Sequence, residues 1–334
     1  MATGAVPKPF EWLSGGLFFG KSKGGIESVD SCNDVLALLK GIDKSLTGTL
    51  AEPRVCEEES TAAAEAVPDD GSEPSRAKFL ASRLSRVRIL LYDERRSSSA
   101  QNYRASSPTA AGATMQGLTG ESLKHLMPKL VEHLHELPFE TRKHVAAIFN
   151  YLLVCGLDGA DRELYQPIMV GFRDYICAHF DEILTPIVRG HECGASDVGL
   201  HCGSMYRSCF KHSGLYRELV SSTARVEKYV FPFLDVFVRL PNFDISSDAM
   251  ESLKQIFTAG CDSQVYVDEL SQREMAEMAA ELLNRDYDAI WDQRFNPNLL
   301  SDQANYMTKR MALQILSTVL LTRSNYAIMI KYGK

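Results

Sequence analysis

From residue 305 to 332 the chain reads NYMTKRMALQILSTVLLTRSNYAIMIKY, and its apolar residues return with the period of an α-helix. Ala312, Ile315, Leu316, Val319 and Leu320 fall on one stripe, whereas Tyr306, Arg310, Gln314 and Ser317 share a different face. One side is predicted to meet a core and the other a partner. The same construction is predicted three more times upstream: Val145, Ile148, Phe149, Leu152 and Leu153; then, less regularly, Leu200, Gly203, Tyr206 and Phe210; then Ala249, Leu253, Ile256 and Phe257. Aligned on a small residue near each start (Ala146, Gly199, Ala249, Ala312), the copies are 53, 50 and 63 residues apart. Armadillo and HEAT units run to roughly 40–47 residues, so loops or extra helices are expected between copies.

The rest of the chain supports the same class. Residues 30–46 carry Val35, Leu38, Leu39 and Ile42 at helical spacing, and residues 78–93 carry Phe79, Leu80, Leu84, Val87 and Leu91. Residues 52–76 are acidic, Ala-rich and proline-punctuated, and residues 95–117 are rich in Ser, Ala and Gln. Neither can bury enough apolar surface to offset the entropy of ordering, so both are predicted to be disordered insertions. From residue 119 on, the pattern is nearly all helical: a segment around Leu126, Met127, Leu130 and Leu134 with Pro128 inside it, then helices over 172–188, 198–212, 214–220 and 226–240, the last interrupted at Pro232. Another helix with a solvated acidic face is expected within 262–294. No stretch alternates strands with helices. The predicted fold class is all-α, an armadillo/HEAT-like right-handed α-solenoid. The predicted parts are an N-terminal arm and first helix (1–50), an insertion (51–77), a helix (78–94), a second insertion (95–118) and helical repeats (119–334).

Composition narrows the function. A formal charge of −7 argues against general nucleic-acid binding, whose affinity comes chiefly from Lys and Arg on phosphates. No run of about 18 apolar residues and no signal-peptide pattern is found, so the expected location is the cytoplasm, without a membrane partner. Eight irregularly spaced cysteines read as reduced, buried thiols.

Candidate chemistry is sparse. Gly15, Gly20, Lys21 and Ser22 fit the phosphate-cradling GxxxxGK[ST] string, and Ile89 to Asp93 could pass for the strand that ends in a magnesium-binding Asp. A P-loop leaves a buried strand and opens a helix, yet MATGAVPKPFEWLS precedes Gly15; nucleotide binding there is the alternative reading, not the favoured one. His191, Cys193, His201, Cys202, Cys209 and His212 crowd together but lack CxxC or HxxxH pairing, so buried Cys with surface His is expected rather than a metal site. His125, His133, His135 and His144 have no nucleophile or paired carboxylates nearby. Neither an enzyme nor a cofactor is predicted; the chain reads as a binding surface, a solenoid presenting a concave face built from the second helix of each unit.

Several strings carry a family resemblance: FFGKSK near the start, PFETRKHVAAIFNYLL, LHCGSMYRSCFKH, FDISSDAMESLKQIF and NYMTKRMALQILSTVLLTRSNYAIMIKY. In order and spacing the chain resembles the calcium-binding protein 39 family, also called mouse protein twenty-five, over residues 10–48 and 120–334. The resemblance implies a non-catalytic adaptor that clasps a protein kinase or pseudokinase of the germinal-centre type, in the family within a ternary complex with an upstream tumour-suppressor kinase, and holds the kinase αC helix in its active position. It implies no calcium site, and no DxDxDG loop occurs. Carried over by motif, the partner-binding positions are Phe243 in FDI and Tyr306 and Arg310 in NYMTKR; the family's lysine one turn after the arginine is Gln314 here. Beyond the position of Lys334 the family continues into a final helical repeat that receives the pseudokinase's Trp-Glu-Phe tail. The chain as given is expected to bind such a tail weakly or not at all.

Overall fold

A computed structural model describes residues 78–85, 87–88, 121–154, 162–192, 196–261 and 272–334, all within one compact unit, Ser31–Lys334. The GxxxxGKS string, the helix expected over 30–46, both insertions and Cys193 lie outside the described residues. Residues 78–85 and 87–88 are helical and bury Leu80, Leu84 and Val87. There follow α1 (Glu121–Glu132), α2 (Phe139–Val154), α3 (Arg162–Ala178), α4 (Phe180–Arg189), α5 (Ser196–Cys209), α6 (Ser213–Val220), α7 (Thr223–Tyr229), α8 (Phe231–Asp235), α9 (Phe243–Phe257), α10 (Gln272–Arg285), a π-helix (Asp288–Leu300), α11 (Tyr306–Leu321) and α12 (Tyr326–Tyr332). The described residues contain no strand.

These helices stack in three rows. α1 packs on α4, α4 on α7, and α8 on the π-helix; α2 packs on α5, α5 on α9 and α9 on α11; α3 packs on α6, α6 on α10 and α10 on α12. Each unit is therefore a triplet of helices rather than a pair, and the long period is the length of three helices plus their connections. This is the armadillo/HEAT-like right-handed α-solenoid expected from the stripes.

The second row has a common register. Thr141, Val198, Ile245 and Thr308 are buried near the start of α2, α5, α9 and α11. Four residues later come buried Val145, Cys202, Ala249 and Ala312, and then Ile148, Met205, Ser252 and Ile315. Val145 and Cys202, not Ala146 and Gly199, are thus equivalent to Ala249 and Ala312. Leu200, expected on the α5 stripe, is exposed; Gly203, Tyr206 and Phe210 are buried with Cys202 and Cys209.

Some helix boundaries differ from expectation. The helix expected over 172–188 breaks at His179 (φ −115°, ψ 37°), which separates α3 from α4. Pro232 sits at the first turn of α8, where its missing N–H is no loss, so the segment 226–240 splits into α7, α8 and a 3₁₀ turn, Phe237–Arg239. Pro128 and Pro186 are accommodated inside α1 and α4. Gly260, at φ 74°, closes the turn after α9 so tightly that a Cβ would sit 2.3 Å from Ala276 N and Gln272 O.

Polar side chains tie the earlier second-row helices together. Arg142 of α2 donates to Asp197 of α5 (2.8 Å), and Asn150 donates to Ser204 (2.8 Å). Arg207 of α5 donates to Asp248 (2.7 Å) and Ser252 (3.0 Å) of α9, and Gln255 returns a bond to the Arg207 carbonyl (2.7 Å). Among the described residues no side-chain hydrogen bond or ion pair joins α9 to α11. Their contact is apolar.

Candidate functional site

The amino ends of α9 and α11 are built alike. Asn242 caps α9, its side-chain oxygen accepting from Asp244 N (3.0 Å) and Ile245 N (3.3 Å); Asn305 caps α11, accepting from Thr308 N (2.8 Å). Each cap satisfies amides that the helix leaves orphaned and fixes where the helix begins. In both helices an aromatic residue then opens the first turn, two places before the first buried side chain. Phe243 is 58% exposed and Tyr306 75% exposed. Since α9 and α11 pack side by side in one register, the two rings start one helix spacing apart, roughly 8–10 Å.

Arg310 lies one turn beyond Tyr306 and is exposed, with no ion pair among the described residues; Gln314, another turn on, is also exposed. Lys309 lies 3.8 Å from Asp302. Cations near a helix amino end work against the macrodipole, so helix stability does not account for Lys309 and Arg310. Two exposed rings and an unengaged guanidinium are the side chains that dominate protein interfaces. The structure thus brings all four expected residues, Phe243, Tyr306, Arg310 and Gln314, to the surface of two adjacent helices, and it buries none of them.

Of the other candidates, His191, Cys202, Cys209 and His212 go to the core, whereas His135 is exposed. His191 and His212, expected at the surface, are buried: His212 Nε2–H donates to the Leu153 carbonyl (2.6 Å), and His191 Nδ1–H donates to the Val188 carbonyl (3.2 Å) while its ring stacks on Phe237 at 4.9 Å. Burial pushes the Cys209 thiol far above its ordinary pKa, with Cys177 adding to the effect, so it stays protonated at neutral pH. Burial lowers the pKa values of His144 and His201, with neighbouring cations adding to the effect. No group of three or more His, Cys, Asp or Glu among the described residues is placed to hold a metal ion, and none of the described helices is long and apolar enough to cross a membrane.

Comparison with known proteins agrees with this architecture. The family model described as Mo25-like matches residues 58–334, a span that excludes the GxxxxGKS string. MO25-like protein 2 of Caenorhabditis elegans is 31% identical over 208 residues, covering 62% of this chain and 51% of that protein. The calcium-binding protein 39-like protein of Homo sapiens is 30% identical over 209 residues, again 62% and 51%. The degreening-related dee76 protein of Auxenochlorella protothecoides is 29% identical over 218 residues, covering 65% of this chain and 57% of its own length. The chain spans about half the length of the curated relatives it matches. With the match running across most of its length and over the stacked helices that carry the exposed site, the chain belongs to the Mo25-like family.

Proposed function

We propose that the chain is a non-catalytic scaffold of cytoplasmic signalling, which binds a germinal-centre-type protein kinase or pseudokinase through the concave face of its helical stack and stabilises the active kinase conformation. An upstream kinase joins the same assembly. The observation that carries this reading is the exposure of Phe243, Tyr306 and Arg310 on two adjoining capped helices. Family membership supports it.

A binding protein can shift a kinase between inactive and active states only through its differential affinity for the two. Tenfold activation therefore needs about 1.4 kcal/mol of differential binding. A single desolvated arginine reaches that scale, since interface hot spots cost about 2 kcal/mol or more on truncation. The test is a titration of kinase rate against this chain. Arg310→Ala is expected to abolish most activation while leaving the helical melting curve unchanged, and Gln314→Lys to strengthen binding by adding a cation beside Arg310. Full activation by Arg310→Ala would overturn the reading.

A further inference from the structure

The second row of helices carries the same pair of side chains at its two ends. Tyr306 opens α11 and Arg310 follows one turn later; Phe139 opens α2 and Lys143 follows one turn later, FETRK standing against YMTKR. A buried threonine at the third place, Thr141 in one and Thr308 in the other, fixes the register. The first-place ring is consequently held outward in both helices. Phe139 is 52% exposed, with Lys143 Nζ 4.1 Å from its ring centroid. Between the ends, α9 opens with Phe243 and α5 with Ser196.

We propose that Phe139 and Lys143 form a second anchoring station for the same kinase-domain partner, a reading that rests on the function proposed above. Three helix spacings separate α2 from α11, roughly 24–30 Å, a span that one folded protein domain can bridge. Lys143 is not needed for the joint between α2 and α5, because Arg142 and Asn150 already make it through Asp197 and Ser204 (both 2.8 Å), and Arg142 also ties α2 to the preceding turn through the Leu134 and His135 carbonyls (3.1 and 2.7 Å). The present ion-pair partner of Lys143, Glu140 at 3.0 Å, is exposed, and an exposed pair three apart on a helix contributes only about 0.5 kcal/mol. An incoming carboxylate can replace it at little cost. Lys143 and Arg310 place cations at both ends of the row on a chain whose formal charge is −7, so the complementary partner surface is acidic as well as apolar. Glu140 and Asp244 stand at the same helix ends, and a protein surface can meet them with cations of its own, whereas a phosphate backbone cannot, which favours a protein over a nucleic acid.

The experiment is calorimetric and kinetic titration of the full chain with the purified catalytic domain of a germinal-centre-type kinase, comparing wild type with Phe139→Ala, Lys143→Glu and Arg310→Ala. Phe139→Ala is expected to weaken binding about tenfold at an unchanged melting temperature. Lys143→Glu is expected to slow association and reduce its salt dependence, and this substitution at a half-buried surface position keeps the test open should Phe139→Ala fold poorly. Loss of affinity in Arg310→Ala with both α2 variants within twofold of wild type would overturn the second station and leave the proposed function standing. A wild-type chain that does not bind the kinase domain would overturn both. Loss at Phe139 with none at Arg310 would also overturn the two-ended row.

Discussion

α5 and α11 are the same helix in two settings. Both bury the third, seventh, tenth and fourteenth places of a common register: Val198, Cys202, Met205 and Cys209 in one, Thr308, Ala312, Ile315 and Val319 in the other. They part company at the eighth place. In α5 that residue is Gly203, and a Cβ there would lie 1.7 Å from Asp248 Oδ2 of the next helix in the row. In α11 it is Leu313, which is exposed, as is Leu321 further along. At that place α5 takes a glycine where Asp248 of the next helix arrives, whereas α11, on which no described helix of its own row follows, keeps an exposed leucine. The apolar stripe is written into the helix itself, but the state of its second face is set by the neighbour.

The sharpest way to break that contrast is to truncate an aromatic residue on each helix. Tyr206, fully buried on α5, donates to the Tyr229 carbonyl at 3.0 Å and packs on Phe210 and Phe233. Tyr206→Ala should cost roughly 3–5 kcal/mol in a urea melt. Tyr306→Ala on α11 should stay within about 0.5 kcal/mol. Equal losses would mean that the two helices share one environment.

Gly203→Ala probes the eighth place directly. The added methyl must displace a carboxylate held by Arg207 at 2.7 Å, and a destabilisation of roughly 2–3 kcal/mol is expected in the same melt. Leu313→Gln at the equivalent place should leave the melt within about 0.5 kcal/mol of wild type.

Acid separates the two joints more gently. Burial acts to raise the Asp248 pKa, but His191 and Arg207 beside it more than offset burial and hold the carboxyl below its ordinary value. Of the two, Arg207 is in hydrogen-bond range, whereas His191 Nε2 stands 3.9 Å from Asp248 Oδ2. A carboxyl with a depressed folded pKa contributes stability that is fully present above its unfolded pKa of about 3.9 and is lost as pH falls through the folded value. Thermal melts below about pH 4 should therefore show a decline in wild type that Asp248→Asn lacks. Among the described residues no comparable carboxylate joins α9 to α11, so Tyr306→Ala and Leu313→Gln should follow the wild-type pH profile.

The second-row helices were legible because each carries its own 3.6-residue stripe, and the exposed face of α11 was legible for the same reason. What sequence spacing missed depends on contacts from distant parts of the chain. His212 is buried because the Leu153 carbonyl, 59 residues away, accepts its proton. The break at His179 follows no glycine or proline, and the third helix of each unit has stripes too short or too interrupted to stand out as repeats. Leu200 faces outward because Val198 and Cys202 already fill the seam of α5. Phe139 escaped notice although PFETRK and NYMTKR share their pattern, since aligning the copies on small residues placed α2 one residue out of register.

The proposed docking places a kinase domain on the amino ends of the second-row helices. Amide hydrogen exchange with and without the kinase domain is its test, because first-turn amides lack intrahelical partners and respond to a covering surface. Protection is expected over residues 243–247 and 306–310, with the buried α5 core unchanged. Protection confined to the face bearing Leu313 and Leu321, with none over 306–310, would contradict it.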